Sequence, residues 1–185
     1  AAEIVLALQT AVTRHFDVFD PVVVTVGMLH AGTKVNVIPD DACLEATVRT
    51  FSAAVRDRIE AVAVRVCTQI AAAHGLDAEV EYFRGYPVTV NDEAEFEFLA
   101  ETVRDVYGEE RFELRAQPLT GSEDFSRVLE EIPGAYVFLG TPTTDDYENA
   151  PYNHSSLAAF DDAWLADGAA LLAELAVRRM ARQPD

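Results

Sequence analysis

Val55, Ile59, Val62, Val66 and Ile70 recur at steps of four, three, four and four. That spacing sets five aliphatic side chains in one stripe along a helix, and Arg56, Arg58, Glu60 and Arg65 take the other faces. Such a helix needs an apolar surface to lie on, and the residues before it supply one. Val22-Val23-Val24-Thr25-Val26 begins a strand that runs to His30, and Ala31-Gly32-Thr33 turns or bulges it. From Ala42 to Phe51, Leu44, Ala46 and Val48 alternate with Glu45, Thr47 and Arg49, the period of a half-buried strand. Val35 to Ile38 reads as extended, closed by Pro39-Asp40-Asp41. Ser52 stands where it caps the long helix, and Gly75 after His74 stops it.

Ahead of the strands, Ile4, Val5, Leu8, Ala11 and Val12 share one helical face, ending near Arg14–His15 before the break at Asp20-Pro21. No Ser, Thr, Asp or Asn precedes this helix, and the first residue is Ala. An uncapped start inside an amphipathic helix points to a chain whose upstream part is missing. Ala78 to Phe83 reads as a further strand. The order is helix, strand, strand, helix, strand. One strand in front would make it β-α-β-β-α-β, a ferredoxin-like unit.

Arg84-Gly85-Tyr86-Pro87 marks a boundary, giving domains of residues 1–84 and 85–185. Asn91 is placed to cap a helix with Asp92 and Glu93 in its first turn, Phe96, Leu99, Val103 and Val106 on its inner face, and Gly108 at its end. A short strand is expected over Arg111 to Ala116, and a helix from about Glu123 to Glu131, stopped by Pro133-Gly134. Ala135 to Leu139 has the continuous apolar character of a strand covered on both sides. Asp161 caps a last helix with Trp164, Leu165, Leu171, Leu172 and Leu175 inward. Helices alternating with strands suggest part of a layered α/β domain. The fold class expected is therefore α/β (α+β). No internal repeat or low-complexity tract is present.

Lys+Arg is 14 and Asp+Glu is 32, a formal charge of −18. A nucleic acid or anionic membrane requires a basic face, and Lys34 is the only lysine. A ferredoxin-like half could serve as an RNA-binding module, but it lacks the interleaved basic and aromatic strand residues such modules use. No apolar run approaches the roughly 20 residues of a membrane span. The excess is uneven: residues 1–84 hold 7 basic against 11 acidic side chains (−4), and residues 85–185 hold 7 against 21 (−14). Cys43 and Cys67 lie in apolar settings without close Cys or His spacing, which reads as two buried free thiols in a cytoplasmic protein.

His15 and His74 sit at helix ends, where a cation is mildly stabilised. His30 ends a strand beside a glycine turn. His154 lies in a polar loop after an apolar run, where α/β folds build sites. Asn36 is either a turn former or an amide donor to an oxyanion. In Gly121-Ser122-Glu123-Asp124-Phe125, Ser122 either caps a helix or lines a site whose glycine lets a ligand approach.

Taken in order, Asn36-Val37-Ile38-Pro39-Asp40, Thr47-Val48-Arg49-Thr50-Phe51, Tyr86-Pro87-Val88-Thr89-Val90-Asn91, Gly121-Ser122-Glu123-Asp124-Phe125, Ile132-Pro133-Gly134-Ala135 and His154 resemble the C-terminal part of the co-catalytic zinc amidohydrolases. The branch is that of hippurate hydrolase, N-acyl-L-amino-acid amidohydrolase (aminoacylase) and the auxin-conjugate hydrolases, related to carboxypeptidase G and succinyl-diaminopimelate desuccinylase. The resemblance implies an incomplete ferredoxin-like lid, residues 1–84, which also dimerises. It implies that residues 85–185 are the C-terminal portion of a layered zinc-peptidase catalytic domain. By the same resemblance His154 is a metal ligand, although Ser155-Ser156 replaces the usual Ser-Pro or Asn-Pro after it. Asn36, Gly121 and Ser122 become substrate-binding residues, with Asn36 reaching the dimer partner's site in some relatives. The implied cofactors are two divalent ions, zinc or else manganese, cobalt or nickel, which activate water and polarise a carbonyl. The remaining ligands and the general-base glutamate would lie upstream of residue 1, so no catalytic residue is assigned here and the chain by itself is expected to be inactive. The implied substrate is a small N-acyl amino acid or peptide, and the implied assembly a homodimer through residues 22–51. A non-enzymatic dimerisation or binding module that keeps this fold is the alternative.

Overall fold

Two antiparallel strands and five α-helices arise from these patterns in the computed structural model, which describes residues 1–182. In chain order they are α1 (Ala2–His15), β1 (Val22–Ala31), β2 (Ala42–Thr50), α2 (Ala53–Ala73), α3 (Glu93–Tyr107), α4 (Ser126–Glu131) and α5 (Leu165–Ala181), with short 3-10 turns at Glu109–Arg111, Tyr147–Asn149 and Asp162–Trp164. No helix among the described residues is long and apolar enough to cross a membrane. The chain divides into two units. One holds Ala1–Val88 and Thr120–Ser126; the other holds Thr89–Leu119 and Arg127–Asp185.

In the first unit β1 pairs with β2 from Val22 opposite Thr50 to Ala31 opposite Ala42, with one irregularity between Val26 and Met28. Helices α1 and α2 bury one face of this hairpin. Ile4, Leu8 and Cys67 form one cluster with Val26, Leu44, Val66, Ile70 and Val80 around it; Val22, Val24 and Ile59 form a second with Val12, Phe16, Val48 and Val55. The α2 stripe thus serves both clusters. Its ends are closed as the sequence indicates. Ser52 Oγ accepts the Val55 N–H at 3.2 Å and donates to Asp20 at 2.7 Å. At the other end Gly75, at φ +72°, lets Leu76 N reach Ala71 O (2.9 Å) and Gly75 N reach Ala72 O (3.0 Å), a Schellman turn. His74 then meets Glu3 at 2.6 Å, tying this end of α2 to the start of α1.

The strand expected over Ala78–Phe83 is absent as a strand, yet its burial alternates. Ala78, Val80 and Tyr82 are half-buried, and Glu79, Glu81 and Phe83 are exposed. Side chains impose the pleat, but a strand also needs a ladder, and no aligned backbone faces this segment among the described residues. Burial, reinforced by the charge of Glu60, pushes the Tyr82 phenol above its ordinary 10.0 despite Arg56 and Arg84 nearby. Arg84 holds the segment's end on α2 through Glu60 (2.5 Å) and Asp57 (2.7 Å), and Arg56 donates to Gly85 O at 2.8 Å. Val35–Ile38 is a turn rather than extended, with Val37 N on Lys34 O at 3.3 Å.

The second unit is built on α3. Asp92, not Asn91, caps it, accepting the Glu95 N–H at 3.1 Å. Asn91 does different work: its Nδ2 donates to Tyr136 O (3.1 Å) while its Oδ1 accepts Tyr136 N–H (2.8 Å), and Asp92 N–H reaches Gly134 O at 2.9 Å. One side-chain amide thus stands in for a backbone partner of an extended segment. The buried face of α3 is Phe98, Leu99, Ala100, Thr102 and Val103, whereas Val106 is exposed. The face is turned from expectation because Thr102 hides its hydroxyl on Phe98 O at 2.8 Å, and because Arg182 covers Phe98 at 4.2 Å. Neither Arg111–Ala116 nor Ala135–Leu139 forms a strand. Phe138 is 61% exposed and Leu139 46%, so the apolar run is not covered on both sides by the described residues. Helix α4 begins at Ser126 rather than Glu123. Along the last helical segment Trp164, Leu171 and Leu175 are half-buried, but Leu165 and Leu172 are exposed and α5 buries no residue.

Candidate functional site

Asn36 stands at one end of the hairpin. The loop from Gly32 to Asp41 joins β1 to β2, entered through Gly32 at φ +73°. Asn36 is exposed there, between Val35 and Val37, and its amide makes no hydrogen bond among the described residues.

Gly121 and Ser122 belong to the same unit but to the other end of β2. Arg49, on the outward face near the last residue of β2, donates to Thr120 O at 2.5 Å and so anchors the loop before Gly121. A Cβ on Gly121 would meet nothing within 4 Å, and both Gly121 and Ser122 are open to solvent. Ser122 caps no helix here; Ser126 closes the turn instead, through its N–H and Oγ on Glu123 O at 3.2 and 2.6 Å. From Ala42 to Arg49 is seven residues, or ~24 Å at a strand's rise. Within one copy the hairpin therefore holds Asn36 and the Gly121–Ser122 loop apart.

His154 lies in the second unit, in a loop made of two successive turns: Ser155 N on Tyr152 O (2.8 Å) and Ala158 N on Ser155 O (3.1 Å). The Tyr152 ring rests against its imidazole at 6.2 Å between centroids. His154 is exposed and makes no hydrogen bond or ion pair among the described residues. Arg49 and Tyr152 are the residues that sequence reading missed. Alternation marked Arg49 as outward, but only a long-range contact shows what it holds, and a ring two residues before a histidine carries no signal of its own.

Of the two thiols, Cys67 is buried, and desolvation raises it above 9.0 against an opposing backbone hydrogen bond. Cys43 is exposed, contrary to expectation, because Leu44 turns to the helices and leaves its neighbours facing away. No three or more His, Cys, Asp or Glu side chains among the described residues gather to hold a metal ion. A catalytic zinc takes three protein ligands. These residues therefore do not fit a complete metal centre; His154 offers a single free donor.

The fold, mixed helices with a small antiparallel sheet, is that of metal-dependent peptidases. A solved dinuclear metal binding peptidase of the M20 family from Bacillus subtilis superposes with a TM-score of 0.75 at 31% identity, over 95% of this chain and 44% of that one. The chain belongs to peptidase family M20/M25/M40, which it matches over residues 6–178. It is 36% identical to N-acetyl-L-cysteine deacetylase of Bacillus subtilis over 153 residues, 82% of this chain and 36% of the relative. It is 33% identical to hippurate hydrolase of Campylobacter jejuni over 178 residues, 96% of this chain and 45% of the relative. The chain thus spans less than half the length of these relatives.

Proposed function

We propose that this chain is the C-terminal part of a metal-dependent amidohydrolase acting on small N-acyl amino acids or related amides and peptides. The family match over residues 6–178 carries this reading, because it takes in Asn36, Gly121, Ser122 and His154 together. The relatives deacetylate N-acetyl-L-cysteine or hydrolyse hippurate by their names, both N-acyl amino acids. In this reading residues 1–84 are the ferredoxin-like lid and residues 85–185 a portion of the catalytic layer. His154 is one ligand of a two-metal centre of divalent ions, zinc by the family resemblance, whose other ligands and general base come from outside these 185 residues. Gly121 and Ser122 border the substrate, on a loop set by Arg49.

Asn36 is the oxyanion or substrate donor, and the ~24 Å span of the hairpin has it serve a second copy rather than its own Gly121–Ser122 loop. The edges of β1 and β2 offer the unpaired backbone groups through which two cytoplasmic copies join as a homodimer. The test is hydrolysis of N-acetyl and N-benzoyl amino acids by the 185-residue chain with zinc or manganese added. No turnover is expected, because one histidine cannot build the centre. Clear metal-dependent turnover would overturn the division of residues proposed here.

A further inference from the structure

The outward face of the hairpin, near the Asn36 loop, carries a group of soft donors that the hydrolase reading leaves unused. His30 lies directly opposite Cys43 in the β1–β2 register, and Met28 directly opposite Glu45. Leu44 packs toward Ile4, Leu8 and Cys67, so Cys43 and Glu45 on either side of it face away from the helices, with His30 and Met28 across the ladder from them. Directly opposed residues hold their Cβ atoms about 4.5–5.5 Å apart, which lets an imidazole nitrogen and a thiol sulfur reach one ion between them. All four side chains are exposed, and among the described residues neither His30 nor Cys43 has a hydrogen bond or an ion pair to give up.

We infer that His30 and Cys43, with Met28 beside them, form a surface site for a soft monovalent metal ion, Cu(I) in the first instance. The donor set decides the ion. Thiolate, thioether and imidazole suit Cu(I), and zinc would require three or four converging ligands that are not gathered here. A two-donor S/N bridge satisfies a d10 monovalent ion, with the Met28 thioether as a third, weaker donor. Binding replaces the Cys43 S–H bond with an S–Cu bond and sends the proton to solvent, with no change of oxidation state. The edge pairing proposed for a dimer engages strand edges and leaves this face free. The inference is thus independent of the hydrolase reading.

The experiment is a titration of the purified chain with Cu(I), kept reduced by ascorbate under nitrogen, in competition with bicinchoninate, the fold of each variant being checked by circular dichroism. One equivalent per chain is expected. Cys43→Ser abolishes it, His30→Gln weakens it roughly tenfold or more, the size of loss seen even when only a supporting group of a metal site is removed, and Met28→Leu weakens it less. Cys67→Ser leaves it unchanged, since that thiol is buried. An undiminished equivalent in Cys43→Ser, equal affinity in His30→Gln, or one ion bridging two chains would each overturn the inference.

Discussion

The two units satisfy their backbones in different ways. The first rests two long helices on a hairpin, closes α2 with a serine at one end and a glycine turn at the other, and buries two apolar clusters between them. The second has one well-buried helix, an extended segment held by an asparagine side chain, and a last helix whose inward residues are only half-buried. Apolar contact dominates the first, and polar side chains substitute for missing neighbours in the second. Contacts of the first kind fail all at once when a volume is removed; those of the second fail one bond at a time.

The largest effect is therefore expected in the first unit. Ile59 is 1% exposed and touches the strands, so Ile59→Ala should cost about 2–5 kcal/mol in urea denaturation of the first unit. A smaller loss would mean that Val22 and Val24 close over the space that Ile59 leaves. Next comes Asn91→Ala, which removes both Asn91 hydrogen bonds to the Tyr136 backbone. Two such bonds are worth about 1–3 kcal/mol, and the Tyr136 amide should lose hydrogen-exchange protection while α2 keeps its own. Unchanged exchange at Tyr136 would show that the segment has another backbone partner. The smallest effect concerns α5. Arg178–Asp105 (2.8 Å), Arg179–Glu95 and Arg182–Glu101 (3.4 Å) join it to α3 across exposed surface, where salt screens charge. Raising NaCl to about 1 M, where the screening length is ~3 Å, should speed amide exchange a few-fold over α5 and much less over the middle of α2, which the apolar clusters hold. Equal response in both helices would erase the contrast between the units.

The same contrast explains what could be read from residues alone. The α2 stripe, the Ser52 cap, the Gly75 stop and the β2 alternation are local patterns with local causes, and each is found in place, save that Ala46 on the inward side of β2 is exposed. Ala78–Phe83 was legible as to which side chains face inward but not as to pairing, because pairing depends on a second backbone. Ala135–Leu139 shows the limit more sharply. Its apolar run speaks only of what could cover it, and Phe138 lies open among the described residues. Asn91 was assigned to the commonest role for an asparagine before a helix, while Asp92, one residue on, takes that role and frees the amide for Tyr136. For the site, His154 and the Gly121–Ser122 loop stand out by motif, but Arg49's hold on Thr120 spans 71 residues and leaves no trace in spacing.

The hairpin also acts as a ruler. Its strands fix how far Asn36 stands from the loop that Arg49 anchors, and a pleated ruler can be cut only in certain units. One residue added to each strand would rotate Asn36 to the opposite side; two would restore its direction and move it outward by ~7 Å. Length variation tolerated between Val22 and Arg49 in working homologues should therefore come in matched pairs, one residue in β1 for each in β2.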